Sequence, residues 1–242
     1  MANKLTTENI EAAVQHLQNI QSGATPILDG VDRTVVEDAE IVEPLDLGNQ
    51  VIEKKKKRVF PLIPPNDPRL LMQIAPFMDD TLQNFDFASR KELAEVMYDN
   101  MAKYGGLGLS ANQVGLPYRM FIMGGHPEIE DGKVRCVFNP LINDVSEESV
   151  VMKEGCLSFP FLFLGIKRPK WVSVRYTDEN GEEIEETLHG MPARMFQHEN
   201  EHMNGYVFTD LVSKLKLERA EKSKQKMIKE IKKRQSALQI IT

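Results

Sequence analysis

The sequence of residues His198–His202 is HENEH. Its two histidines can bind one metal ion together if the segment is an α-helix. Histidines at positions i and i+4 lie on one face of an α-helix, so both imidazoles reach the same metal ion. Glu199 is one step around the helix, where its carboxylate can act as general base on a metal-bound water. With Pro192 suited to the first turn and Gly205 to the end, the sequence predicts a metal-binding helix from about Pro192 to Asn204. Two solvated histidines on a surface helix are the alternative.

A third protein ligand decides the class of metal site. Downstream of His202 there is no further histidine, and the first glutamate is Glu218, in the basic C-terminal segment. Upstream, the segment Glu154–Ser158 (EGCLS) offers Cys156, and a thiolate with two imidazoles leaves one tetrahedral position open for water. A buried, inert thiol is the alternative for Cys156. Cys136, in an alternating apolar run, is expected to be such a thiol.

The segment Gly106–Gln113 (GLGLSANQ) is the third candidate for the site. Its small residues allow a substrate backbone to approach closely, and Gln113 offers an amide donor. It lacks the lysine and the following helix pattern of a phosphate-binding loop. Alone, such a glycine-rich segment is weak evidence for function.

Taken in order, the three segments resemble the motifs of the peptide deformylase family: G-φ-G-φ-A-A-x-Q, E-G-C-φ-S and Q-H-E-x-D-H, where φ is apolar. Here the motifs stand at Gly106–Gln113, Glu154–Ser158 and Gln197–His202. The resemblance runs from about Phe60 onward, and residues 1–58 lie outside it. Three motifs in the right order are highly specific together.

Three residues depart from the family pattern. Ser110 stands where alanine is usual, and this change between small residues is expected to matter little. Glu201 replaces aspartate, which lengthens a carboxylate whose expected task is to support the metal ligands. Phe163 stands where many bacterial members have an arginine near the substrate. This predicts a different contact with the peptide beyond its first residue.

The resemblance implies a metal site with three protein ligands: Cys156, His198 and His202. Ferrous iron is the expected metal, with nickel, cobalt or zinc as substitutes. The resemblance further implies that Glu199 helps to deprotonate the metal-bound water, which attacks the formyl carbon of a formyl-methionine peptide. Glu199 then passes the proton to the departing amine, and formate is released.

The resemblance also assigns groups that hold the substrate. The oxyanion would be stabilised by the Gln113 amide, the backbone N–H of Leu157 and the metal. Backbone hydrogen bonds to the peptide would come from three further residues: Leu107, Gly108 and Gly155. The expected enzyme is therefore a peptide deformylase that acts on nascent chains.

Two methionines share the helix face of the histidines, because Met191 and Met195 precede His198 by seven and three residues. A flexible thioether wall suits a pocket for a methionine side chain, so both residues are predicted to bind substrate. Ordinary core packing is the alternative. Arg194, on the same helix, is expected to form a salt bridge or to contact the carboxyl end of the substrate.

Two other functions remain open at this stage. A zinc peptidase uses the same HExxH pattern, but the missing downstream ligand and the segment Glu154–Ser158 argue against it. A ribosome-binding relative that has kept the fold but lost turnover is the other alternative. The departures at Phe163 and Glu201 and the N-terminal segment motivate this second alternative.

Predicted strands are grouped before the HExxH helix instead of alternating with helices, which indicates an α+β fold. The expected architecture is antiparallel β-sheets packed around a central HExxH helix, with a long C-terminal helix and an N-terminal extension. An earlier helix is predicted over Ser89–Tyr104, capped by Ser89. The predicted strands are Arg119–Met123, Lys133–Phe138, Ser149–Met152, Trp171–Thr177 and Glu183–Leu188. An Asn-Gly turn at Asn180 predicts that the last two form a hairpin.

Composition shifts predict three regions. Residues 1–58 form an extension with a short amphipathic helix over 7–22 and a linker that ends in the basic run Lys54–Arg58. That run is read as solvated linker, with a nucleic-acid contact as the alternative. Residues 59–212 form the catalytic domain. Residues 213–242 form a basic helix, predicted over 211–235.

The formal net charge of −6 is unevenly distributed. Residues 1–58 carry −3, residues 59–212 carry −10 and residues 213–242 carry +7. An acidic body with a basic tail predicts an anionic partner for the tail, with a merely solvated helix face as the alternative. The family resemblance implies that this partner is the ribosome.

Composition bounds the class of protein. With 41% hydrophobic and 27% charged residues the chain is an ordinary globular protein, and no apolar run approaches the length of a membrane helix. The first residues lack the apolar core of a secretory signal. Two cysteines in 242 residues fit a reducing compartment. The sequence therefore predicts a cytoplasmic protein without membrane contact.

Overall fold

The computed structural model describes residues 58–239, with side chains as far as residue 233. The helix predicted over residues 7–22 and the linker predicted before Arg58 lie outside these residues. The described part forms three α-helices: α1 (Arg90–Lys103), α2 (Gly190–Met203) and α3 (Lys214–Gln239). Its strands are β1 (Gly108–Ser110), β2 (Met120–Gly124), β3 (Val134–Val145), β4 (Ser149–Cys156), β5 (Phe159–Pro169), β6 (Trp171–Thr177) and β7 (Glu183–His189).

Helix α1 confirms the helix predicted over Ser89–Tyr104. The Ser89 hydroxyl accepts a hydrogen bond from the Glu92 amide, which satisfies one of the free N–H groups of the first turn. One face of the helix is apolar and buried, with Leu93, Met97 and Met101 at most 2% exposed. Through this face α1 packs against β1 and β2.

Five strands form one antiparallel sheet in the order β1-β2-β3-β6-β7. Strand β6 alternates between half-buried and buried residues, and Val172 and Val174 are fully buried. The turn to β7 contains Gly181 at φ 83°, a conformation that glycine adopts without strain. The hairpin predicted around this turn is confirmed.

Strands β4 and β5 form a separate two-stranded antiparallel sheet. The sequence predicts only the first half of β4 and does not predict β5. The first residues of β5 are an apolar run with a proline, Pro160, and they lack the alternation that marks a half-buried strand. The register shifts between Gly155 and Cys156, at the end of β4.

Helix α2 carries His198–His202 and packs against β1, β2, β6 and β7. Phe196 is fully buried, and its ring meets that of Phe121 edge-on at a centroid distance of 5.2 Å. The helix begins at Gly190, two residues before the predicted start at Pro192. The fold is α+β with antiparallel sheets, as predicted.

Helix α3 confirms the long C-terminal helix, shifted from the predicted 211–235 to Lys214–Gln239. Leu217 and Ala220 pack against a cluster of apolar side chains under β5: Leu162, Leu164, Ile166 and Phe208. Among the described residues, no helix is both long enough and apolar enough to cross a membrane.

Candidate metal centre and active site

Three side chains from two elements form the candidate metal centre. Ligand atoms of Cys156, at the end of β4, and of His198 and His202, on α2, all lie within 4.8 Å of one another. Cys156 Sγ is 3.4 Å from His202 Nε2. Tetrahedral coordination with ordinary metal–sulfur and metal–nitrogen bonds requires a separation of about 3.5 Å. The three residues therefore fit a divalent metal, and they are the only such group among the described residues.

Glu154 fixes the orientation of one ligand. Its Oε2 is 3.0 Å from His198 Nδ1, so this nitrogen donates to the carboxylate and leaves Nε2 for the metal. Arg168 Nε donates to the same carboxylate at 2.7 Å, as does Arg194 Nη1. Burial opposes the charged form, but the hydrogen bonds from His198 and Arg168 outweigh it and lower the pKa of Glu154 to about 2. Glu154 is therefore ionised.

Arg194 joins the two-stranded sheet to the metal-binding helix. Besides Glu154, it donates to the carbonyl oxygens of Ile166 on β5, at 3.1 Å, and Val150 on β4, at 2.8 Å. The residue is 4% exposed. Of the two roles expected for Arg194, the salt bridge is thus present in the structure.

Glu201 binds the other side of Arg168, nearer to the protein surface than Glu154. Its carboxylate accepts two hydrogen bonds from the guanidinium of Arg168, one of them from Nη2 at 2.9 Å. Arg168 is 4% exposed, so the two carboxylates that flank it balance a buried charge. The longer side chain at position 201 therefore still reaches a partner that supports Glu154.

Glu199 is almost completely buried beside the ligands, at 5% exposure. Burial raises the pKa of Glu199, against smaller opposing effects of His198 and of a hydrogen bond from Ser110. A Cβ atom on Gly108 would lie 2.9 Å from Glu199 Cδ, so the glycine leaves the space that the Glu199 side chain occupies. A buried carboxyl group with a raised pKa is typical of residues that transfer protons.

Gln113 faces the metal centre from the 3-10 helix after β1 (Ala111–Val114). Its Nε2 donates to Cys156 Sγ at 3.3 Å and to Ser158 Oγ at 3.1 Å. Its Oε1 accepts a hydrogen bond from the Ser110 amide at 2.9 Å, which fixes which end of the side-chain amide points at the site. Gln113 thus presents a donor beside Cys156.

Two predicted site residues, Gly155 and Leu157, flank the ligand Cys156 in the chain. Leu157 follows Cys156 directly, and its Cδ1 would lie 2.7 Å from a Cβ on Gly106. The ring of Phe163 lies against Gly155, opposite it in the β4–β5 register, with Cε1 2.8 Å from the position of a Cβ there. Phe163 is 45% exposed and therefore forms part of the surface next to the ligand strand.

Met191 and Met195 lie at the apolar cluster between α2 and the large sheet. Met195 is 7% exposed and belongs to that cluster, and Met191 and Leu107 pack against it. Core packing and the lining of a pocket are both compatible with these contacts. The assignment of Met191 and Met195 to a methionine pocket stays a prediction.

Two side chains of the site are not predicted from the sequence. Arg168 occupies the inner face of β5, where alternate residues such as Leu164 and Ile166 are buried. Because an arginine is rarely buried unless it is paired, its place in an apolar stripe indicates a buried acidic partner, which here is Glu154. The other is Ser110, whose hydroxyl is 2.7 Å from Glu199 Oε2. The sequence feature that indicates such a role is that position 110 has serine, which can donate a hydrogen bond, where the family usually has alanine.

Comparison with known proteins agrees with this geometry. The sequence pattern of the family described as polypeptide deformylase matches residues 61–218. A peptide deformylase from Thermotoga neapolitana is 44% identical over 132 residues, which cover 54% of this chain and 77% of the relative. One from Wolbachia pipientis is 39% identical over 176 residues, covering 69% and 95%. The crystal structure of the Ehrlichia chaffeensis enzyme matches 71% of this chain and 97% of its own with a TM-score of 0.60 and 36% identity. The chain belongs to the polypeptide deformylase family.

Proposed function

We propose that this protein is a metal-dependent hydrolase that removes the formyl group from the N-terminal formyl-methionine of nascent polypeptides and releases formate. One observation carries the proposal. In a member of the deformylase family, three segments that are far apart in sequence meet at Cys156, which lies within hydrogen-bonding distance of both Gln113 and His202 of the HENEH helix.

Cys156, His198 and His202 would hold the metal, because a thiolate and two imidazoles leave one position open in a tetrahedral site. When bound, the metal supplies Lewis acidity, which makes water a better nucleophile and polarises a carbonyl group. We propose ferrous iron as the native metal, with nickel, cobalt or zinc able to replace it, since the same ligands accept several divalent ions.

Glu199 moves the proton in this proposal. Its carboxylate accepts a proton from the attacking water and returns it to the nitrogen of the departing amine, so that the peptide leaves with a free N-terminus. The burial of Glu199 favours this role because bulk water is kept from the transferred proton.

Gln113 and Leu157 stabilise the charge that develops on the formyl oxygen. The side-chain amide of Gln113 is held at both ends, because Nε2 donates to Ser158 and Oε1 accepts from the Ser110 amide, and it therefore needs little reorganisation during the reaction. The backbone N–H of Leu157, next to the ligand Cys156, is the second donor. Three further residues offer backbone hydrogen bonds to the peptide: Leu107, Gly108 and Gly155.

The methionine side chain of the substrate would lie against Met191 and Met195. Both thioethers belong to or border the apolar cluster beside the ligand helix, and a thioether adapts its shape to an unbranched side chain. Phe163, half exposed beside Gly155, would contact the following residues of the peptide.

The basic helix α3 would bring the enzyme to its substrate. Residues 213–242 carry +7, and the exposed lysines of α3 can contact the phosphates of ribosomal RNA. We place this reaction in the cytoplasm, where chains emerge from the ribosome. Two free cysteines fit a reducing compartment.

The test is formate release from formyl-Met-Ala-Ser by anaerobically purified, iron-loaded protein. We expect formate and the amine of Met-Ala-Ser to form in equal amounts. Cleavage between methionine and alanine would instead indicate a peptidase. No reaction from fully loaded protein would leave only a ribosome-binding role.

A further inference from the structure

Ser110 lies in contact with the carboxylate assigned to proton transfer. Its side chain is fully buried, and Oγ is 2.7 Å from Oε2 of Glu199 and 3.2 Å from the Glu199 carbonyl oxygen. A serine hydroxyl has a single proton to donate. The shorter distance makes the carboxylate oxygen the acceptor.

Strand β1 fixes both oxygens of this carboxylate. Gly108 and Ser110 are two residues apart on the strand, so both face Glu199. The Ser110 hydroxyl binds Oε2, while the missing side chain of Gly108 leaves the space that Oε1 occupies. A glutamate has a soft terminal torsion, and this pair of contacts restricts it to one orientation.

Ser110 also connects the two candidate catalytic side chains. Its backbone amide donates to Gln113 Oε1 at 2.9 Å, a bond that any residue except proline provides. The bond to Glu199 requires a side-chain donor, and alanine cannot make it. Substitution by alanine therefore removes the contact with Glu199 and keeps the hydrogen bond from the backbone amide to the Gln113 side chain.

We propose that Ser110 is a positioning residue for the deformylation reaction: its hydroxyl holds the Glu199 carboxylate in the orientation from which Glu199 transfers the proton. This inference rests on the proposed function. It differs from a purely structural role, in which the hydroxyl would contribute to folding and have no effect on turnover.

The first experiment compares Ser110→Ala with wild type, both loaded with cobalt, on formyl-Met-Ala-Ser. A hydrogen bond to a charged group corresponds to about tenfold in rate, so kcat should fall about tenfold with KM within twofold of wild type. The affinity of the metal-free protein for zinc should stay unchanged. Ser110→Thr keeps the hydroxyl and should recover most of the lost kcat. Cysteine is a weaker hydrogen-bond donor, so the kcat of Ser110→Cys should lie between those of Ser110→Thr and Ser110→Ala.

A double-mutant cycle with Glu199→Ala supplies a readout independent of turnover. In urea unfolding of the zinc-loaded proteins, Ser110→Ala should lower the midpoint of the wild type but not that of Glu199→Ala. Ser146→Ala is the matched control, because Ser146 is a buried serine whose hydroxyl bonds Glu148 O, away from the site. It should lower the midpoint and leave kcat unchanged.

Three results would overturn the inference: an unchanged kcat in Ser110→Ala, a parallel loss of kcat and zinc affinity, or additive effects in the cycle. The first two results are measured relative to a wild type that releases formate. If the wild type releases no formate, the proposed function fails, while the cycle still decides whether Ser110 and Glu199 are coupled.

Discussion

Gly108 lies so close to Glu199 that the backbone of β1 and the buried carboxylate are in direct contact. A Cβ atom on residue 108 would be 2.9 Å from Glu199 Cδ, a separation that real Cβ atoms essentially never show. Any side chain at Gly108 would therefore require the Glu199 side chain to shift. Strand β1, whose residue Gly108 is proposed to bind the peptide, therefore packs directly against Glu199, the residue proposed to transfer the proton.

Gly108→Ala should therefore displace the Glu199 carboxylate. A displacement of about 1 Å costs about a hundredfold in rate, so we expect kcat for formyl-Met-Ala-Ser to fall by that factor. Gly165→Ala is the control, because a Cβ on Gly165 meets only ordinary contacts with Val151 and Lys216 at 3.4 and 3.7 Å. Equal activities of the two variants would contradict the steric argument.

Glu154→Gln tests whether the second carboxylate orients a metal ligand. The amide cannot match the charge of Arg168 and Arg194, and its hydrogen bond to His198 is weaker. The loss of such a support typically lowers metal affinity 10- to 100-fold. We expect a decrease of that size in zinc affinity, measured by competition with a chelator.

Glu186→Gln is the control for this variant. Glu186 accepts from Arg135, another buried arginine, at 2.7 Å, but the pair lies on strands β7 and β3 and includes no metal ligand. The change weakens hydrogen bonds to a charged group while Glu130 still pairs with Arg135, so it should cost about 2 kcal/mol of folding stability and leave zinc affinity unchanged. If both variants lost zinc equally, general destabilisation and not ligand orientation would be the cause.

A fall in pH should weaken the ion pair between Glu186 and Arg135. Burial opposes the charge of Glu186, but hydrogen bonds from Arg135 and Tyr176 outweigh it, and the net effect is a pKa below the usual 4.5. A carboxylate with a lowered folded-state pKa stabilises the fold above its unfolded-state pKa, and the stabilisation is lost as the pH falls through the folded-state value. Wild type should thus exceed Glu186→Gln in unfolding free energy at pH 7, and the difference should narrow below about pH 4.5. A constant difference down to pH 3 would contradict this.

The exposed lysines of α3 should determine ribosome binding. Replacing Lys222, Lys226 and Lys229 by glutamine removes three exposed charges from one helix. Each phosphate contact contributes about 0.9 to the slope of log K against log salt, so the slope measured by co-sedimentation should decrease by up to about 3.

Three exposed lysines outside α3 form the matched control: Lys91, Lys133 and Lys170. Their replacement should leave binding unchanged, because only the charge of α3 is proposed to face the RNA. Equal losses in both triple variants would indicate a nonspecific effect of net charge.

The sequence predicts the parts of this protein that depend on local spacing. The positions i and i+4 place His198 and His202 on one helix face in any α-helix, and the capping box at Ser89 is a local signal. The pairing of Cys156 with these histidines depends on the fold, and from the sequence only the family resemblance implies it.

The residues that support the site are harder to predict because their partners are distant in sequence. Arg168 is on β5, which the periodicity does not reveal, and it meets Glu154 only through the β4–β5 register. The sequence predicts that serine instead of alanine at position 110 matters little, yet the Ser110 hydroxyl contacts a residue 89 positions away. Local pattern carries no information about such contacts.

The most direct test of the account is formate release by Glu199→Ala beside wild type, with the zinc or iron content of both measured. The account predicts that both proteins bind one metal and that only the wild type releases formate at a substantial rate. Equal release by the two proteins would contradict the assignment of proton transfer to Glu199. An inactive wild type with a full metal site would contradict the deformylase function itself.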